Sequence, residues 1–162
     1  MASPMSFGKS GVAGMGDATG DREWSLTVSE TPDRADYRVI LDALAACEEG
    51  IAGPLNVTPL AILIKDTQGT TLGGLWGRSL FRWLNIELLS VPERLRGQGL
   101  GKIIMQQAED IARARGCSGI WLDTYEFQAP GFYEKLGFQA FGTLEDIPPG
   151  HRRIFMRKRW DR

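Results

Sequence analysis

Residues 86–105 constrain this chain more than any other stretch. An apolar run, Ile86-Glu87-Leu88-Leu89-Ser90-Val91, passes through Pro92-Glu93-Arg94-Leu95-Arg96-Gly97-Gln98-Gly99-Leu100-Gly101-Lys102 and enters a helical periodicity. A strand must therefore turn through a glycine loop directly onto a helix. Three glycines at alternate positions let the backbone turn sharply and approach a ligand without side-chain obstruction. The helix that follows begins with unpaired N–H groups and a partial positive charge. No Ser, Thr, Asp or Asn lies between Arg94 and Lys102 to cap those donors, so they remain for an anion, and a phosphate fits such a place. Arg94, Arg96 and Lys102 add positive charge.

The common phosphate motifs do not match. GxGxxG would need glycine at Lys102 or Ile104, and GxxxxGK[ST] would need glycine at Arg96 and a hydroxyl at Ile103. The pattern R-x-x-G-x-G does match, in two frames, from Arg94 to Gly99 and from Arg96 to Gly101. On these residues the stretch resembles the acetyl-CoA loop of the GNAT superfamily of N-acetyltransferases, whose signature is [RQ]-x-x-G-x-[GA] between a central strand and a helix.

The remainder of the chain supports one soluble domain. Its 162 residues suffice for a core, and 43% hydrophobic with 24% charged residues is ordinary for a globular protein. A net charge of −1 argues against a nucleic-acid partner. The basic residues near the end, Arg152, Arg153, Arg157, Lys158 and Arg159, are expected on a solvated strand edge. Cys47 and Cys117 match neither a metal spacing nor a disulfide framework, which suggests reduced thiols and a cytoplasmic location. Residues 1–21, rich in Gly, Ser and Ala, read as a flexible leader without a signal peptide, and residues 22–162 as the domain. No run approaches the roughly 18 apolar residues of a membrane span.

In chain order, Trp24, Leu26 and Val28 alternate with polar residues as on a first strand over 23–29. Thr31 is expected to cap a helix with Pro32 at its first position and Tyr37, Ile40, Leu41 and Leu44 along one face. Asp36, Asp42, Glu48 and Glu49 on it are surface acids that would also suit a cationic amine. Residues 60–65 and 71–80 form a hairpin through Asp66-Thr67-Gln68-Gly69-Thr70. Gly73, Gly74 and Gly77 in its second strand signal a bulge or a close approach. Between them Trp76 is either core or a surface for substrate.

Strict alternation over 82–91 places Trp83, Asn85, Glu87, Leu89 and Val91 on one face, and Leu84, Ile86, Leu88 and Ser90 on the other. Glu87 then sits among apolar neighbours, where desolvation would make it a better proton acceptor; the alternative is an ion pair with an arginine. The helix after the loop presents Leu100, Ile103, Ile104, Ala108, Ile111 and Ala112 on one face, with Glu109 on the polar side. Gly116 ends it and residues 118–124 return as a parallel strand. Asp123 is expected near the site or bonded to backbone in the next turn. Residues 138–144 and 152–158 are a final strand pair. The join, Glu145-Asp146-Ile147-Pro148-Pro149-Gly150-His151, reads as a wall beside the acceptor, and His151, the only histidine, as substrate-facing or solvated.

A second segment carries the resemblance further. Ala129-Pro130-Gly131-Phe132-Tyr133-Glu134-Lys135-Leu136-Gly137-Phe138 is similar to the GNAT segment A-x-x-[FL]-Y-[ER]-[KR]-x-G-[FY], with a helix over 129–136 stopped by Gly137. The resemblance spans 24–160 and is strongest over 87–138. It implies an α/β GNAT (acyl-CoA N-acyltransferase) fold, a mixed and mostly antiparallel six- to seven-stranded sheet with helices on both faces. It also implies acetyl-CoA as co-substrate, with the pyrophosphate on Arg94, Arg96, Gly97, Gln98, Gly99, Leu100, Gly101 and Lys102. Leu89, Ser90 and Val91 would pair with the pantetheine arm, and Phe132 and Tyr133 would adjoin it.

Catalysis by the family's route assigns Glu87 as general base, a backbone N–H near Leu89 to the oxyanion, and Tyr133 as general acid to the thiolate, with no metal and no acyl-enzyme. Where the family often has an asparagine three residues before the alanine, this chain has Glu126, a carboxylate that would face the acceptor amine. Trp76, Asp123, Glu126 and His151 are the acceptor candidates. A small-molecule amine is the expected acceptor, and a homodimer is common for the fold. The alternatives are a protein N-terminal or lysine acetyltransferase, and an acyl-CoA sensor or interaction module without turnover.

Overall fold

The computed structural model describes residues 24–160. The expected leader over 1–21 and Glu23 of the expected first strand lie outside them. The chain divides between Val39 and Ile40 into two compact units, the second of which holds the entire sheet. Residues 24–29 form no strand, and Trp24, Leu26 and Val28 are exposed.

Helix α1 spans Arg34–Ala52. It starts two residues later than a Thr31 cap would place it, because Asp33 supplies the cap, its Oδ1 accepting the Ala35 N–H at 3.0 Å. Its apolar face is present in sequence, but Tyr37, Ile40, Leu41 and Leu44 are all exposed.

Six strands follow: β1 (Thr58–Lys65), β2 (Thr71–Leu80), β3 (Trp83–Ser90), β4 (Gly119–Tyr125), β5 (Gln139–Leu144) and β6 (Arg153–Arg159). Their spatial order is β1-β2-β3-β4-β6-β5, with β3 and β4 parallel and every other pair antiparallel. The β1–β2 hairpin closes on Asp66, whose Oδ1 accepts the N–H groups of Gln68 and Thr70. Helix α2 (Leu100–Ala114) makes the crossover from β3 to β4, and α3 (Pro130–Lys135) connects β4 to β5. Both helices lie on one face, where Leu75, Leu84, Ile120, Leu122 and Met156 are wholly buried with Ile104 and Ala108. Each such aliphatic side chain contributes roughly 1.5–3 kcal/mol.

Two residues of α2 depart from the sequence reading. Ile103 is exposed, whereas Glu109 is buried and bridges to Arg113 and Lys158. Burial pushes the Glu109 carboxyl up, and the two cations more than offset it, leaving its pKa lowered.

The strand that leads to the glycine loop does not alternate strictly. Trp76 opposes Leu88 while Gly77 opposes Ile86, so Glu87 is an extra residue, a β-bulge. The bulge resets the alternation. Leu84 and Ile86 before it, and Leu89 and Val91 after it, all pack on the same core, while Leu88 is turned out beside its partner Trp76. Trp76 is half exposed, which removes it from the core and leaves it on the face opposite α2.

Candidate active site

Strands β3 and β4 pair only from Trp83↔Gly119 to Ile86↔Leu122, although β3 continues to Ser90 and β4 to Tyr125. Beyond that point each remains bonded to its outer neighbour, β2 or β6. The two parallel strands therefore part, and their facing edges over 87–90 and 123–125 are free of the ladder. The Glu87 bulge lies where they begin to part.

At the end of β3 a short 3₁₀ turn, Glu93–Leu95, leads into the loop. Gly97 and Gly99 take left-handed backbone, with φ of 74° and 78°, and Gly99 is the N-cap of α2 with no side-chain cap. The first helical bond runs from the Ile103 N–H to the Gly99 carbonyl, so the amides of Leu100, Gly101 and Lys102 precede it. Side chains stiffen the loop: Arg96 Nε donates to the Val91 carbonyl at 3.1 Å, and Gln98 Nε2 to the Arg94 carbonyl at 3.3 Å. Arg94, Arg96 and Lys102 are exposed around it. A chain of unclaimed N–H groups under three cations accepts a pyrophosphate, so the residues present fit the phosphate end of acetyl-CoA. Gly101, inside the helix, is where Phe132 closes on α2; a methyl there would sit 3.3 Å from the Phe132 ring.

Tyr133 lies on α3 at 9% exposure, with Phe132 and Phe138 edge-on to its ring. No described residue hydrogen-bonds its hydroxyl. Since no buried side-chain oxygen is left unpaired among the described residues, that hydroxyl reaches solvent-accessible space. Burial pushes its pKa up, and the charge of Asp123, on the freed end of β4, adds to the shift. A helix of only six residues is aimed by its connection. Gln128 Oε1 accepts the Thr124 hydroxyl and the Tyr125 N–H, both at 3.0 Å, and Gly137 ends α3 at φ 86°. Replacing Gln128 with Ala should cost about 1–2 kcal/mol in a denaturant titration, since the Tyr125 N–H loses its acceptor and the buried Thr124 hydroxyl keeps only the Tyr125 carbonyl at 3.5 Å. The same variant should lower turnover by misplacing Tyr133.

The acidic candidates are each held by a cation. Glu87 is not enclosed: its side chain is 34% exposed and pairs with Arg78 Nε at 3.0 Å, the arginine alternative anticipated from sequence. Asp123 bonds Arg153 Nε at 2.6 Å, not the backbone of the next turn. Glu126 bonds Arg152 Nε at 2.7 Å and His151 Nδ1 at 3.3 Å. The hydrogen bond from Arg152, opposed by desolvation and helped by His151, holds the Glu126 carboxyl below the usual carboxylate range. Arg152 and Arg153 are thus each held by a carboxylate and are not merely solvated. His151 is neither purely solvated nor free, because Phe127 also packs edge-on against it, with ring centroids 5.0 Å apart, and Phe127 stacks on Tyr125.

Of the candidate residues, the fold brings Leu89, Ser90 and Val91 to the opening between β3 and β4, with the glycine loop beyond and Phe132 and Tyr133 beside it. Asp123, Glu126 and His151 gather at the end of β4 and the start of β6, and Trp76 sits on β2 opposite Leu88. Sequence reading missed Arg78, Arg153 and Gln128, since partners across strands become visible only with the register.

Parted parallel strands that open onto an uncapped glycine-loop helix, with a tyrosine on the adjoining short helix, define an acyl-CoA-dependent acyltransferase. A profile of the acetyltransferase (GNAT) family matches residues 24–138, and the chain belongs to that family, as an acetyl-CoA-dependent acetyltransferase. It is 33% identical over 136 residues to an acetyltransferase of Agrobacterium fabrum, covering 84% of this chain and 99% of the relative. It is 42% identical over 100 residues to the blasticidin-S acetyltransferase of Streptomyces morookaense, covering 61% of this chain and 72% of that one. The crystal structure of a protein from Agrobacterium tumefaciens superposes with a TM-score of 0.81 at 33% identity, covering 85% of this chain and all of the other. Among the described residues no helix is long and apolar enough to cross a membrane.

Proposed function

We propose that this enzyme transfers the acetyl group to the primary amine of a small molecule by direct attack. The observation that carries the reading is the opening of β3 from β4 after Ile86↔Leu122, which leads straight to the uncapped start of α2. The small-molecule acceptor is supported by the relative that acts on blasticidin S. Acetyl-CoA supplies the activated thioester. The amides following Gly97, with Arg94, Arg96 and Lys102, hold its phosphates, and the free backbone edge of Leu89, Ser90 and Val91 pairs with the pantetheine arm as an added strand.

Glu87, at the bulge, accepts a proton from the acceptor ammonium, directly or through water, because only the free amine is nucleophilic. A backbone N–H near Leu89 stabilises charge developing on the carbonyl oxygen, and Tyr133 protonates the departing thiolate. The rim made by Trp76, Asp123, Glu126 and His151 borders the acceptor. Two free cysteines suit a reducing, cytoplasmic setting, and a homodimer is carried over from the fold class.

Glu87→Gln should lower kcat about 100-fold at neutral pH, with partial recovery as rising pH deprotonates the acceptor without help. A variant that retains full activity would remove Glu87 from the base role. The overall reading is tested by free-thiol release from acetyl-CoA against a panel of primary amines and short peptides. Turnover with small amines alone supports it, turnover with peptides alone makes the enzyme a protein acetyltransferase, and acetyl-CoA binding without any turnover makes it a sensor.

A further inference from the structure

We propose that the acceptor carries a flat aromatic ring and that Phe127 selects it, an inference that rests on the acetyl-transfer reading above. The two freed strand edges carry apolar side chains on the face away from α2. On β3 that side chain is Leu88, two-thirds exposed beside the half-exposed Trp76. On β4, alternation with the buried Leu122 and Thr124 turns Asp123 and Tyr125 to the same face. Phe127, more than half exposed, stacks on Tyr125 with ring centroids 5.2 Å and planes 3° apart. An apolar lip therefore borders the strand opening on either side.

The Phe127 ring is held in place before any ligand arrives. The Gln128 N–H donates to the Tyr125 carbonyl at 2.9 Å and Gln128 Oε1 accepts the Tyr125 N–H, which closes the turn over 125–128. The Glu126 N–H donates to the Arg152 carbonyl at 3.0 Å and ties that turn to the segment entering β6. His151 meets the Phe127 ring edge-on, and the Arg153 guanidinium lies 5.8 Å over the Tyr125 ring. A platform fixed in advance loses little freedom when a ligand settles on it. Aromatic rings favour offset-stacked partners, so the group that Phe127 takes best is planar.

Charge does not make the selection. Each carboxylate at the opening is matched by an arginine: Glu87 by Arg78, Asp123 by Arg153 and Glu126 by Arg152. A polycation therefore meets no surplus of negative charge, and apolar surface is what the lips offer. Aromatic walls with a few placed polar groups suit a ligand that is mostly ring with one polar end. The acceptor class is an arylalkylamine or heteroarylalkylamine, its ring on Phe127 and its single ammonium towards Glu87.

The test is steady-state thiol release by the full chain with 2-phenylethylamine, 2-cyclohexylethylamine and spermidine, a flat ring, a puckered ring of similar size and a polycation. The ratio of kcat/KM for the first two is taken in the wild type and in Phe127→Ala, a comparison that cancels any difference in amine basicity. That ratio should fall about 3- to 10-fold in the variant, the amount a stacked aromatic pair is worth. The loss with 2-phenylethylamine should lie in KM and not in kcat, since stacking holds substrate and transition state alike. Phe127→Tyr, which keeps the ring, should restore it. The inference is overturned, with acetyl transfer left standing, if the ratio is the same in Phe127→Ala, if the loss lies in kcat, or if spermidine has a higher kcat/KM than 2-phenylethylamine in the wild type. If none of these amines nor any other of the panel releases thiol while acetyl-CoA still binds, the transfer reading itself fails and takes the inference with it.

Discussion

Tyr133→Phe is expected to lower kcat by about 100- to 1,000-fold while the Kd for acetyl-CoA stays within a factor of two to three, because the substitution removes one proton and leaves the ring in place. Phe132 and Phe138 pack against that ring, so a phenyl group fits the same space, and the fold should survive. Steady-state thiol release with calorimetry of acetyl-CoA binding separates the two effects. The pH dependence follows from burial and the nearby Asp123, which raise the tyrosine's pKa. The phenol therefore keeps its proton through the neutral range and beyond pH ~10, the ordinary tyrosine value, and loss of the general acid should appear only above it. For stability, a raised folded pKa gives a contribution that is complete below the unfolded value and lost as pH rises through the folded one. Thermal melts of the wild type and Tyr133→Phe should thus run together through the neutral range and separate on the alkaline side, where the wild type falls below the variant.

Gly77→Ala should unfold the protein about 10 °C earlier, a loss of about 3 kcal/mol. A methyl at Gly77 would be driven into the Asn85 carbonyl of the adjoining strand, backbone that cannot swing aside. Gly77 is the last β2 residue paired before the Glu87 bulge, so any relaxation there moves Glu87 and the start of the strand opening. Activity should fall further than stability explains, measured at a temperature where the variant is folded. Gly50→Ala is the control. It lies inside α1 with open space around it and should be neutral or stabilising by up to about 1 kcal/mol.

Local chemistry carried much of this protein into the sequence. The loop was legible because glycines and missing caps are local facts, and the left-handed Gly97 and Gly99 and the bare N-cap of α2 follow from them. The hairpin at Asp66 and the stop at Gly137 were legible for the same reason. The glycines of β2 signalled a close approach, but not that the extra residue sits on the opposing strand at Glu87. A bulge is a property of two strands, and its effect, returning Leu89 and Val91 to the face of Leu84 and Ile86, is invisible to an alternation count on one of them.

Burial was the other failure. Glu87 was expected among apolar neighbours because strict alternation put it there, and the bulge places it at one-third exposure beside Arg78. Trp24, Leu26 and Val28 alternate as a strand does, yet residues 24–29 form no strand. Asp123, Glu126 and His151 were singled out for their chemistry, and their partners, Arg153, Arg152 and Phe127, come from the start of β6, the residue just before it and the turn after β4. Such pairings rest on register, which the sequence does not state.

The central claim is direct transfer from acetyl-CoA to an amine, assisted by Glu87 and Tyr133. It is tested most directly by mixing the enzyme with equimolar acetyl-CoA in a stopped-flow thiol assay, with and without the best amine of the panel, and weighing the protein by mass spectrometry. Thiol release that requires the amine, with no acetyl added to the protein, is the predicted result. A burst of thiol without amine, with an acetylated protein, would contradict it by revealing a covalent intermediate.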